Sequence, residues 1–60
     1  MINPKHKEKG FESLNELREL IELAANHAKD DEFNEAVLLL RTAREALIEA
    51  EVNFKFVHFV

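Results

Sequence analysis

Residues 13–50, SLNELRELIELAANHAKDDEFNEAVLLLRTAREALIEA, decide the fold, because two apolar periods of helical spacing meet across one short polar break. In the first, Leu14, Leu17, Ile21, Ala24 and Ala28 follow one another at intervals of 3, 4, 3 and 4; Leu20 and Leu23 widen the stripe, and Glu16, Glu19 and Glu22 stand opposite. Residues so spaced share one face of an α-helix. In the second, Phe33, Ala36, Leu40, Ala43, Leu47 and Ala50 repeat the pattern with Val37 beside them. The break, AKDDEF at 28–33, sets a lysine at the end of one helix and acids at the start of the next, each suited to its end of the helix dipole. Asp30 or Asp31 is a candidate to accept from the free amides of the second helix. The pattern predicts an all-α antiparallel helical hairpin, with helix 1 over 13–28 and helix 2 over 31–52.

Upstream, SLNE at 13–16 has the form of a capping box, in which the Ser13 hydroxyl and the Glu16 carboxylate each satisfy the other's backbone amide. A helix start at Ser13 follows. MINPKHKEKG carries Pro4, Gly10 and scattered charge without an apolar period, so residues 1–11 read as a flexible basic leader. Downstream, NFKFVHFV at 53–60 ends the chain on an apolar tail. The spacing of Phe54 and Val57 continues the seam of helix 2, whereas the β-branched and aromatic content favours an extended segment beyond Val52. Antiparallel pairing about a turn near Asp30 sets Leu14 near Leu47 and Phe11 near Ala50. On that register the tail overhangs helix 1 and takes its cover from another chain.

A chain of 60 residues makes one small domain with a thin core. Chains of this size bury only about 60% of their unfolded surface, and disulfides, metal or a partner subunit often supply the rest. There is no cysteine, which leaves self-association as the expected source of further core. Formal charge is -4, and the first ten residues hold Lys5, Lys7 and Lys9 against Glu8, so the remainder carries the negative excess. Such a body repels nucleic acid, which only the leader would meet. The longest apolar run, Ala36 to Leu40, falls far below the roughly 20 residues of a membrane span. A cytoplasmic protein is expected.

The stretch LIELAANHAKDDEFNEAVLLLRTAREAL at 20–47 resembles a tetratricopeptide-type helix pair. Leu20, Leu23, Ala24, Phe33, Ala36, Leu40 and Ala43 fall in that repeat's register over about residues 17–47, with His27 where an aromatic residue usually sits. No proline stands at Ile48, where that repeat ends, and there is no second copy. The resemblance implies a protein-binding helical scaffold. In architecture the chain is also similar to Rop-like two-helix proteins, which pair into four-helix bundles.

His27, Asp30, Asp31, Glu32 and Glu35 cluster as helix-end residues whose carboxylates and imidazole are also metal-ligand types. No zinc-protease, phosphate-loop or EF-hand pattern accompanies them, and no nucleophile stands beside a base. No enzyme and no cofactor is expected. Arg41 and Arg44, three apart on helix 2, suit an acidic partner or phosphate, or else pair with Glu19, Glu22 or Glu45. His58 within the tail is a candidate titrating group at an interface. The expectation is a hairpin that dimerises into a four-helix arrangement and binds another protein, a scale suited to a small bacterial or phage regulator or inhibitor. Phe54, Phe56, Val57 and Phe59 are its candidate contacts, with Arg41 and Arg44 as polar ones. The alternative is a nucleic-acid-binding regulator using the leader with Arg41 and Arg44.

Overall fold

The computed structural model describes residues 3–57. Helix α1 spans Pro4–Lys29 and helix α2 spans Phe33–Lys55, packed against each other along their length as a rod. Among the described residues no helix is long and apolar enough to cross a membrane.

The first helix begins nine residues earlier than Ser13. Asn3 is extended, with φ -87° and ψ 108°, and its side chain accepts from the Lys5 amide at 3.0 Å. Pro4 follows at the first helical position, where its missing N–H is no loss and its fixed φ suits the helix. Asn-Pro is thus the operative start signal, and the expected flexible leader is helical from Pro4 onward. Ser13 caps nothing; it lies buried in mid-helix, its hydroxyl 3.5 Å from Glu49 Oε2. Gly10 does not break the helix, because bare backbone is needed there. A Cβ at that position would stand 2.5 Å from Cε1 of Phe54.

This longer α1 removes the expected overhang for residues 53–57. Helix α2 continues to Lys55, three residues past Val52, and Phe56 closes it by donating its amide to the carbonyls of Val52 and Asn53. The Phe54 ring is half-buried over Gly10 and meets Phe11 edge-on, with centroids 5.4 Å apart. The Asn3 amide donates to the Val57 carbonyl at 2.7 Å, and the His6 ring lies 3.0 Å from Asn53 Oδ1. Cover for residues 53–57 therefore comes largely from the segment expected to be loose. His58, Phe59 and Val60 lie outside the described residues.

The turn also departs from expectation. Asp30 and Asp31 do not cap α2; Glu32 takes the N-cap position without a side-chain cap bond. Reversal within three residues needs one left-handed residue, and Asp31 supplies it at φ 60°. Asp is among the few non-glycine residues that adopt this conformation readily. The His27 carbonyl accepts the Glu32 and Asp30 amides at 2.9 and 3.1 Å, and Nδ1 of His27 meets the Glu32 carboxylate at 3.0 Å.

Between the helices runs a seam of alternating three- and four-residue steps. On α1 it is His6, Gly10, Ser13, Leu17, Leu20, Ala24 and His27; on α2 it is Ala36, Leu39, Ala43, Ala46, Ala50 and Asn53, with Val57 just past its end, all buried or half-buried. That period is the signature of helices packed side by side. The most buried members are small: Ala24, Ala36, Ala43, Ala46 and Ala50, together with Gly10 and Ser13. Small residues let the two backbones approach closely, but they remove little apolar area from water.

Candidate interaction surface

Most of the large apolar side chains are on the outside, and Leu17, Leu20 and Leu39, in the seam, are half-buried. Leu14, Ile21, Leu23, Phe33, Val37, Leu38, Leu40, Leu47, Ile48 and Val52 are all exposed, from 37% at Leu14 to 60% at Leu38, whereas Ala43 and Ala50 retain 3% and 2%. The stripe expected from the sequence thus divides in two. Its alanines at 24, 36, 43 and 50 enter the seam, and Leu14, Ile21, Phe33, Leu40 and Leu47, one helical step further round, stay in water.

These outer residues have a common side. Leu14 and Ile21 directly follow the seam residues Ser13 and Leu20; Leu40, Leu47 and Phe54 directly follow Leu39, Ala46 and Asn53. One residue turns a helix by about 100°. Because the helices run in opposite directions, that turn carries both sets to the same side of the hairpin. The Phe11–Phe54 ring contact across the seam marks this side directly. A shallow groove along it is lined by Phe11, Leu14, Leu17 and Ile21, with Asn15 and Arg18 at the edge. Arg18 donates to Asn15 Oδ1 at 2.7 Å, which holds its guanidinium along α1.

By the same helical geometry Glu12, Glu16, Glu19, Glu35, Glu45 and Glu49 fall on the opposite side, all exposed. The two broad faces of the hairpin differ in charge: one is apolar with Lys7, Arg18 and Arg44 around it, whereas the other sets exposed Leu23, Leu38 and Phe56 among a row of carboxylates.

Comparison with protein-family models, curated proteins and solved structures finds no significant match to this chain.

The residues proposed from the sequence are scattered over this arrangement. Phe54 belongs to the apolar face but is partly spent on Gly10 and Phe11. Phe56 lies on the other side, exposed, with its ring 6.1 Å from that of His6, and Val57 is half-buried at the closed end. Arg44 borders the apolar face and Arg41 points to the back of α2; neither forms an ion pair or side-chain hydrogen bond among the described residues. Lys5, Lys7 and Lys9 are spread around the first turns of α1, next to the far end of α2. Arg41 and Arg44 lie along the middle of α2, away from the end that Lys5, Lys7 and Lys9 flank.

Among the described residues no three His, Asp or Glu side chains gather as a metal-holding group. His27 meets Glu32 and joins the two ends of the turn.

Phe11, Leu14, Ile21, Leu40 and Leu47 are not expected as contacts from the sequence, since the periodicity puts the last four inside the hairpin and Phe11 falls in the expected leader. The signal that separates them is width. The apolar band covers three positions in seven, and a two-helix seam consumes only two.

Proposed function

We propose that this protein is a small non-enzymatic protein-binding module that works as a self-associated helical hairpin. One observation carries the reading: the side chains large enough to build a core, Ile21, Leu40, Leu47 and Ile48 among them, stand about half exposed, while alanines fill the interior. A monomeric soluble protein rarely leaves so much large apolar surface bare. The likeness to a tetratricopeptide helix pair supports the same reading, since that scaffold serves to present a surface to another protein. A role as a regulator or inhibitor inside the cell fits the size.

The test is the dependence of thermal stability on protein concentration. A chain that folds only with partners melts at a temperature that rises with its own concentration. The reading expects such a rise; a melting temperature unchanged on wide dilution would remove self-association from it.

A further inference from the structure

Resting on that self-association, we infer that the partner seated on the apolar face bearing Leu14, Ile21, Leu40 and Leu47 is a second copy of this chain, lying face to face to close a four-helix core. The pattern of residues is the first support. A two-helix seam needs apolar residues at two positions in seven, whereas a helix facing the core of a bundle carries a third beside them. Both helices carry that third position on the same side: Leu14 and Ile21 on α1, Leu40 and Leu47 on α2.

Area supplies the second support. A folded monomer of this mass, 7.0 kDa, exposes roughly 4,000 Å². This chain exposes 4856 Å². The excess, roughly 800 Å², reflects the single-layer rod, and it is of the size that each partner contributes to a standard stable interface. The rod is 47 × 13 × 9 Å between Cα positions, so a single layer of helices has no thickness in which to hide large side chains. Stacking a second hairpin on the apolar face adds the missing layer.

Charge distribution is the third. Self-pairing sets like surfaces together, which is unfavourable where charges are dense. The carboxylate-rich side faces away from this contact, and the charges around the apolar face include Lys7, Arg18, Arg44 and Glu51, the last paired with Lys55 at 3.5 Å. The borders of a four-helix bundle stay in water, where long basic side chains keep their heads solvated.

The test uses the intact chain first. In a mixed sample of isotope-labelled and unlabelled protein, filtered NOE spectra should show intermolecular contacts at the methyls of Leu14, Ile21, Leu40 and Leu47. The double variant Leu40→Glu/Leu47→Glu should lose the dimer mass, while Leu38→Glu/Ile48→Glu, on the other surfaces of α2, should keep it. Intermolecular contacts confined to Leu38, Ile48 and Val52 would overturn the choice of face and leave self-association standing. A folded wild-type monomer without intermolecular contacts would overturn both and leave the face to a different protein.

Discussion

The seam between the helices and the apolar face beside it are built from the same repeating sequence, one residue apart, and they are opposite in character. Inside are Ala24, Ala36, Ala43, Ala46 and Ala50; outside are Leu14, Ile21, Leu40 and Leu47. Burial normally sorts the larger apolar residues inward, since each full Leu or Ile side chain contributes about 1.5–3 kcal/mol. Here the fully buried positions hold small residues, with Leu17, Leu20 and Leu39 half-buried among them. Small residues permit close backbone approach, which defines how the two helices pair. In the proposed assembly the exposed large residues would supply the energy of a further layer.

The largest effect expected tests which side holds that energy. Leu47→Ala should destabilise by about 2–5 kcal/mol if the face is covered, as for a core leucine, and by no more than about 0.5 kcal/mol if it is bare surface. Denaturant titration at fixed protein concentration separates the two. Next, Ala43→Leu should destabilise by about 1–3 kcal/mol, because the added atoms meet a seam with no room for them. Leucine introduced at the exposed Glu45, on the carboxylate-rich face, should be nearly neutral.

Gly10 sharpens the comparison at the closed end, where a glycine is held beneath an aromatic ring. Gly10→Ala should destabilise by about 1–2 kcal/mol, since its Cβ must displace the Phe54 ring. On a Phe54→Ala background the sign should reverse, with Ala gaining up to about 1 kcal/mol from helix propensity. Equal effects in both backgrounds, read from a double-mutant cycle, would show that ring and glycine do not interact. Asn3→Ala should lose about 1 kcal/mol and fray the first turns of α1, visible as faster amide exchange near Lys5. The smallest effect is a gain: Asp31→Gly should stabilise by less than about 1 kcal/mol, because glycine adopts φ 60° without a Cβ penalty.

Two helices, their antiparallel pairing and the turn near Asp30 were legible in the sequence, because spacings of three and four leave few alternatives. Which residues of each stripe face the partner helix was legible only in part. Periodicity fixes the centre of a band and not which edge faces which neighbour, so Leu40 and Leu47 were placed in the seam that Leu39 and Ala46 occupy. The start of α1 was misread for a different reason. Two start signals compete, Asn3-Pro4 and Ser13-Glu16, and the deciding fact is non-local: Gly10 is tolerated because Phe54, far along the chain, packs over it. The same contact covers Phe54, and residues 53–57 lie against the segment expected to be a leader. The turn chemistry was hidden in the identity of one residue, since either aspartate suits a cap and only the backbone shows Asp31 in the left-handed region.

The most direct test of the central claim is the mass of the wild-type chain by sedimentation equilibrium at neutral pH and moderate salt, over a wide range of dilution. The account predicts a species of twice the 7.0 kDa chain mass, with helicity and dimer lost together as the protein is diluted. A species of single chain mass that stays fully helical on dilution would contradict it.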